Sequence, residues 1–220
     1  MSTFVRSTTM STKRIVISLI ILILIPVIRM TLVKFTGNDT LSLMFSLNLA
    51  ALVLLIYDWE LFGLHWNRTK NNFADTVLYS ALGAAVIFAL SVVNHNYLYG
   101  QMVFPEASTF SNYPIAIPPI LFAYSISQSL IMNMEFKCLT DHFKIHDREL
   151  AMILISGFMF GLLWTLLMTP FRLSLFLQTY LYHICLISLL AYLYNQTHSI
   201  ISGMIAMAAV YLAWQILFLL

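Results

Sequence analysis

The sequence predicts an all-α protein that crosses a membrane several times. Hydrophobic residues make up 60% of the 220-residue chain, charged residues make up 9%, and the mean hydropathy is +0.87. Soluble globular domains contain about a quarter charged residues, so this composition excludes that class. The charges also lie far apart and leave uncharged stretches of the roughly 20 residues that a helix needs to cross the hydrocarbon core.

The uncharged stretches predict about seven membrane-spanning helices. The last stretch, which starts at residue 173, is long enough for two spans, and "NQTHS" (195–199) divides it. The predicted helices lie near residues 14–35, 41–57, 76–98, 114–134, 150–169, 174–194 and 199–219. The polar segments between them are too short to hold a soluble domain, and the longest are 58–75, 99–113 and 135–149.

The first span begins directly after Lys13 and Arg14, as the apolar region of a signal peptide would. No small-residue cleavage site follows this run, so we expect a helix that is retained in the protein. Arg29 lies near the far end of this helix, where a long side chain can extend to the lipid headgroups. Arg29 therefore needs no functional role.

Lysine and arginine residues predict the orientation, because they are enriched in cytoplasmic loops. With the N-terminus inside, eight basic residues are cytoplasmic, whereas Arg29, Lys34 and Arg172 lie at or near the outer face. The eight are Arg6, Lys13, Arg14, Arg68, Lys70, Lys137, Lys144 and Arg148. The sequence therefore predicts a multi-pass protein of the cell membrane with its N-terminus in and its C-terminus out. The net charge of +2 reflects this topology and does not indicate nucleic-acid binding.

The connection between the third and fourth predicted helices, "YLYGQMVFPEASTFSNYPIAIPP" (97–119), is rich in aromatic residues. Its four prolines exclude a regular helix. Aromatic residues at this density lie in the interfacial belt of the membrane or form a docking surface for a protein partner. The residues that would form such a surface are Tyr99, Phe104, Phe110 and Tyr113.

The connection before the fifth predicted helix, "TDHFKIHDREL" (140–150), contains His142 and His146 four residues apart. This spacing places both imidazoles on one face of a helix, where they could bind zinc, but no third ligand is held nearby in a fixed geometry. We favour an interfacial amphipathic segment whose Lys144 and Arg148 meet anionic headgroups. The sequence therefore indicates neither a metal nor a cofactor.

The second half of the chain has a recognisable order of elements. A helix with polar residues, "AYSISQSLIMNMEFKCL", precedes the basic connection, and "SGFMFGLLWTLL", a further helix, "NQTHS" and "IISGMIAMAAVYLAWQ" follow it. This order resembles that of the CAAX-protease and bacteriocin-processing (CPBP, or Abi) family of intramembrane proteases, over residues 125–220. In that family three successive motifs, Glu-Glu-x-x-x-Arg, Phe-x-x-x-His and His-x-x-x-Asn/Asp, form the hydrolytic site.

The residues at the motif positions differ from those of the family. Residues 160–164 keep the phenylalanine of the second motif but have an indole where the imidazole would be. In the order of the motifs, the six residues present are Gln128, Ser129, Asn133, Trp164, Met207 and Tyr211. In addition, Glu135 is the only acidic residue between 107 and 140, and no histidine occurs between 147 and 182. A family-type site of carboxylates and imidazoles therefore cannot form.

The resemblance implies a CPBP-like bundle in one integral membrane domain. Residues 1–113 would form the first three helices and the aromatic outer loop, and residues 114–220 would form the core of helices four to seven. Family members without the motifs act through partners, supporting or activating cell-envelope enzymes of Gram-positive bacteria such as peptidoglycan hydrolases or a lipoprotein N-acylation subunit. We therefore expect a non-catalytic scaffold that contacts membrane lipids and a protein partner.

An enzyme of altered chemistry is the competing interpretation. A membrane-embedded acyl or lipid transferase, or a protease with non-standard residues, could use His183 or His95 together with Glu135. The alternative for each histidine is a hydrogen-bonded packing residue of a helix. A small transporter is disfavoured, because the two halves contain no matched pair of broken helices.

Overall fold

The computed structural model describes residues 10–97, 123–134, 137, 148–168 and 173–219, and these residues form helices without any strand. Eight helices lie within them. They are α1 (Thr12–Thr36), α2 (Asp39–Tyr57), α3 (Trp59–Asn71), α4 (Phe73–Tyr97), α5 (123–134), α6 (Glu149–Met168), α7 (Leu173–Thr197) and α8 (Ile200–Leu219). The all-α class expected from the composition is confirmed.

Several helices are long and apolar enough to cross a membrane. Within the described ranges there are four of them, α1, α4, α6 and α7, or five if α2 and α3 are counted together as one bent span. The chain is therefore a multi-pass membrane protein, as its composition predicts. α2 comprises 19 residues by itself and has the length of a span without α3. The described apolar part of α8, Ile200–Ala213, is shorter.

Helix α3 lies in the polar segment 58–75, for which the sequence predicts no membrane-spanning helix. It leaves α2 at an angle of 82° and is amphipathic rather than apolar. Its buried residues are Leu61, Phe62, His65 and Thr69. A search for long uncharged stretches misses such a helix, because only one side of it is buried. We therefore treat α3 as a helix that lies across one end of the bundle and does not span the membrane.

Arg29 and Asp39 join α1 to α2 at one end of the helical hairpin. Arg29 Nε donates a hydrogen bond to Asp39 Oδ1 at 2.8 Å, and a second guanidinium nitrogen donates to Oδ2. Two parallel bonds of this kind fix both the distance and the orientation of the two groups. Arg29 thus has a carboxylate partner within the protein.

Asp58 joins the same two helices at the opposite end of the hairpin. Its carboxylate is fully buried at the bend between α2 and α3 and accepts a hydrogen bond from Ser18 Oγ at 3.0 Å. Arg14 Nε lies 3.9 Å from Asp58 Oδ1, and another guanidinium nitrogen of Arg14 lies 2.6 Å from Glu60 Oε2. The start of α1 therefore contacts the point at which α3 turns away from α2.

Helix α7 occupies the centre of the bundle and packs against α4, α6 and α8. Ser188 Oγ donates to the carbonyl oxygen of Ile153 in α6 at 3.3 Å, and the Tyr79 hydroxyl of α4 donates to Gln196 Oε1 at 3.3 Å. Since α4 also packs on α8, helices from both halves of the chain share one interior.

Two glycines of α6 allow a close approach to α7. A Cβ atom at Gly157 would lie 2.1 Å from Ser188 Oγ. A Cβ atom at Gly161 would lie 3.0 Å from the backbone nitrogen of Ile184 and 3.2 Å from its Cα atom. Small residues four apart bring membrane helices together in this way. The contact at Gly161 is with backbone, which cannot move aside as a flexible side chain can.

One end of the bundle, called here the basic end, carries most of the described positive charge. It comprises the start of α1, the α2–α3 bend, α3, the α7–α8 turn, the start of α6 and Lys137, whose Nζ lies over the Tyr194 ring near the end of α7. Arg14 reaches Glu60, Arg68 donates to the carbonyl oxygen of His198 at 2.9 Å, and Gln196 donates to Glu149 at 3.4 Å. Six of the eight described basic residues lie at this end: Lys13, Arg14, Arg68, Lys70, Lys137 and Arg148.

We predict that Gly161→Ala lowers the free energy of unfolding by about 1–3 kcal/mol, because the added methyl group meets the α7 backbone. Gly63→Ala is the matched control, since a Cβ atom at this helical position has no neighbour within 4 Å. The control should be neutral or should stabilise the protein by about 0.5–1 kcal/mol. Thermal unfolding of both variants in one detergent measures the difference. Equal melting temperatures would contradict the close α6–α7 contact.

Candidate functional site in the bundle interior

Helix α7 places His183 against α6 in the interior of the bundle. The His183 side chain is buried, and its Nδ1 lies 2.8 Å from Thr165 Oγ1. A Cβ atom at Gly161 would lie 3.3 Å from the carbonyl carbon of His183. Thr165 follows Gly161 by four residues on the same face of α6, so the close helix contact positions its hydroxyl beside the imidazole.

The hydrogen bonds of Thr165 determine which nitrogen of His183 carries the proton. Thr165 Oγ1 donates to the carbonyl oxygen of Gly161 at 2.7 Å, and a hydroxyl group has a single proton to donate. Nδ1–H of His183 must therefore donate to Thr165, and Nε2 carries the lone pair. Within the described part of the chain, Nε2 makes no hydrogen bond.

Trp164 packs beside this imidazole. It is 1% exposed, and its ring lies 6.4 Å from the His183 ring in a T-shaped arrangement with an interplanar angle of 85°. Its Nε1–H group finds no partner among the described residues. Trp164, at the position to which the resemblance assigns the histidine, is thus the largest fully buried side chain of the described structure. Here the indole fills space between α6 and α7.

Tyr182, next to His183 on α7, connects α4 to α8. Its hydroxyl lies 3.2 Å from Ser91 Oγ of α4 and is also hydrogen-bonded to the Tyr211 hydroxyl of α8. The Tyr182 and His183 rings are 5.5 Å apart. The polar groups of these three helices therefore lie side by side in the interior.

Asn133 of α5 makes a third polar contact, with α8. Its Nδ2 donates to the carbonyl oxygen of Ser129 at 2.8 Å and to Met207 Sδ at 3.9 Å. A Cβ atom at Gly203 would lie 2.3 Å from Asn133 Oδ1, so α8 approaches α5 closely at this glycine. Asn133 and Met207, which the resemblance assigns to the first and last motifs, thus meet in a packed helix contact.

All six residues at the motif positions are buried, and none is more than 6% exposed. The structure brings Asn133 to Met207, and it joins Trp164 and Tyr211 through the neighbouring rings of Tyr182 and His183. Gln128 Oε1 is buried without a hydrogen-bond partner in the described part of the chain. The side chains gathered here are uncharged or aromatic.

Several predicted site residues lie outside the described residues. His95 belongs to α4, but its side chain is not among the described groups, and Glu135 falls in the gap after α5. The proposed docking residues Tyr99, Phe104, Phe110 and Tyr113, and the pair His142 and His146, also lie outside. Among the residues that are described, no three His, Cys, Asp or Glu side chains are grouped so that they could hold a metal ion.

His65, for which the sequence predicts no role, is completely buried at the basic end. Its ring contacts Tyr194 of α7 at 6.1 Å in a T-shaped arrangement. The spacing of Leu61, His65 and Thr69, four residues apart along one face of α3, is the signal that could have identified it.

No protein-family model matches the chain, and the comparisons with curated proteins and with solved structures likewise find no match.

We predict that Thr165→Val lowers the free energy of unfolding by about 1–3 kcal/mol, because it leaves the buried Nδ1–H group of His183 without an acceptor. Thr31→Val is the matched control. Thr31 is exposed, and its hydroxyl donates only to the carbonyl oxygen of Val27 in its own helix, at 2.9 Å. This control should change stability by less than about 0.5 kcal/mol.

Thermal unfolding compares these two variants, and ¹⁵N NMR of the histidine rings tests the proton position. The wild-type spectrum should show a neutral ring protonated at Nδ1 that Thr165→Val perturbs and Thr31→Val does not. A His183 ring protonated at Nε2 alone would contradict the donor assignment.

Proposed function

We propose that the chain is a non-catalytic membrane scaffold of the CPBP type, which binds a partner cell-envelope enzyme and supports or activates it. The partner would be a peptidoglycan hydrolase or a subunit of lipoprotein N-acylation. The proposal includes a bundle of seven spans with the N-terminus in the cytoplasm and the C-terminus outside. The family assignment rests on the order and spacing of the elements in residues 125–220.

The observation that carries the proposal is the use of the motif positions for packing. Asn133 of α5 contacts Met207 of α8, and Gly203 allows these two helices to approach closely. Trp164 fills the space beside His183. An intramembrane hydrolase needs a cavity in which charged or metal-bound groups activate a water molecule. Close-packed neutral side chains at these positions support a structural role for this part of the bundle.

The distribution of charge supports the proposed orientation. The basic end holds six of the eight described basic residues, whereas Arg29 and Lys34 lie at the other end. Cytoplasmic segments are enriched in lysine and arginine, so the basic end would face the cytoplasm. The end of α4 at Tyr97 is then external, and the segment that follows it can meet an extracytoplasmic partner.

A specific observation favours a second candidate function, a membrane-embedded acyl or lipid transferase. Thr165 holds the His183 ring with its Nε2 lone pair available, and an oriented imidazole of this kind is the arrangement of a general base. Against this function, His183 is only 6% exposed and Trp164 packs against its ring.

Deletion of 102–111, or alanine at all four of Tyr99, Phe104, Phe110 and Tyr113, should abolish co-purification of the partner enzyme in mild detergent. The expected reason is loss of the aromatic docking surface. Alanine at Trp59 and Trp66, two exposed aromatic residues at the basic end, is the matched control and should keep the complex. Mass spectrometry of the purified material measures the partner relative to the chain. Recovery of the complete complex after the deletion would refute this docking surface.

Glutamine at His183, His95 or Glu135 separates the two candidate functions. Glutamine at 183 keeps a donor for Thr165 and removes the basic nitrogen. A scaffold should retain the partner and its activity in all three variants, within about twofold of wild type. An enzyme that uses these residues should lose activity by about a hundredfold or more at unchanged protein level.

A further inference from the structure

Helix α3 lies at the level where two neighbouring helices enter the membrane. One residue, Asp58, separates it from the end of α2, and one residue, Asn72, separates it from α4, the span that starts at Phe73. The axis of α3 is turned by 82° from that of α2. A helix that is tied at both ends in this way, and is nearly perpendicular to α2, runs along the membrane surface. This geometry places α3 in the headgroup layer of one leaflet.

One face of α3 carries indole rings that the protein leaves exposed. Trp59, Gly63, Trp66 and Lys70 are spaced by four, three and four residues, so they form one stripe along the helix, called here the tryptophan stripe. Trp59 is 67% exposed and Trp66 is 51% exposed. A Cβ atom at Gly63 would have no neighbour within 4 Å, so the described part of the bundle does not cover the stripe between the two indoles. The buried residues of α3 belong to a different face.

Lys70 gives one end of the tryptophan stripe a positive charge. Its Nζ lies 5.7 Å from the centre of the Trp66 ring, so a cation–π interaction holds the ammonium group beside the indole. Among the described residues no carboxylate pairs with Lys70, whereas Glu60, the one acidic residue of α3, is paired with Arg14 at 2.6 Å. The charge of Lys70 therefore remains available to an anion outside the protein.

We propose that the tryptophan stripe binds the headgroup of an anionic phospholipid in the leaflet at the basic end. The ammonium group of Lys70 has three N–H donors for the phosphate of the lipid. The indoles of Trp59 and Trp66 are amphipathic rings of the kind that lies at the headgroup level. A basic residue at this level favours lipids with net negative charge over zwitterionic lipids. The inference concerns the outer face of α3 and does not depend on the proposed scaffold function.

Native mass spectrometry of the full chain, released from nanodiscs of phosphatidylcholine and phosphatidylglycerol, measures the phosphatidylglycerol that the protein retains. Lys70→Gln should lower this retention about fivefold, which is the effect of one basic residue at an anionic surface, and Lys70→Arg should keep it. Lys13→Gln is the matched control, because it removes an equal charge from another exposed lysine at the basic end. All three changes are at exposed positions, so the melting temperatures in phosphatidylcholine alone should equal that of the wild type.

The control separates binding at the stripe from general attraction to the basic end. Retention that is unchanged in Lys70→Gln, or that falls equally in Lys70→Gln and Lys13→Gln, would overturn the proposal. Loss of a co-purifying protein, with unchanged lipid retention, after alanine substitution of both Trp59 and Trp66 would also overturn it, because a protein would then occupy the stripe.

Tryptophan fluorescence locates the two indoles in the bilayer. Phosphatidylcholine that is brominated near the headgroup should quench the wild type more strongly than lipid brominated near the ends of its acyl chains. This difference should disappear when phenylalanine replaces both Trp59 and Trp66, a variant that keeps Trp164 and Trp214. A wild type that neither brominated lipid quenches more than this variant would place the indoles in water and contradict the proposed lipid contact.

Discussion

The hydrocarbon core offers no hydrogen-bond partners, and the interior of this protein depends on that constraint. Most polar side chains within the spans therefore bond to their own helix or to a neighbour, although Gln128 Oε1 and Trp164 Nε1 have no partner among the described residues. Thr165 does both, because it donates to Gly161 within α6 and accepts from His183 of α7. The second bond exists only because α6 and α7 approach closely at Gly161. The small residue Gly161 and the Thr165–His183 hydrogen bond thus both hold α6 against α7.

Ion pairs lie at the two ends of the bundle, whereas the described polar groups of its interior are uncharged. Arg29 with Asp39, and Arg14 with Asp58 and Glu60, close the α1–α2 hairpin at its two ends. Charges of this kind are inexpensive near the headgroups and costly at the centre of a bilayer. The interior instead contains uncharged polar groups such as those of Asn133 and Thr165, which supports a packed and non-catalytic core for the proposed scaffold.

Several spanning helices could be predicted because their signal is local, whereas the contacts between helices could not. The sequence predicts seven spans, and the described residues contain four, or five with the bent α2–α3 pair. An uncharged run such as 150–169 identifies α6, but nothing in the run shows that Thr165 faces His183. Helix α3 was missed because only one of its faces is apolar. The glycines at 157 and 161, four residues apart, are a sequence signal for a close helix contact, although they do not identify α7 as the partner. The partners of Arg29 and Asp58 depend on how the hairpin folds and have no such signal.

Reconstitution in lipid vesicles tests the proposed scaffold most directly. Turnover of a lipidated peptide by the purified chain alone, and turnover by the co-purifying envelope enzyme with and without the chain, would be measured side by side. The account predicts no turnover by the chain alone and faster turnover by the partner when the chain is present. Turnover by the chain alone that is lost in His183→Gln would contradict it.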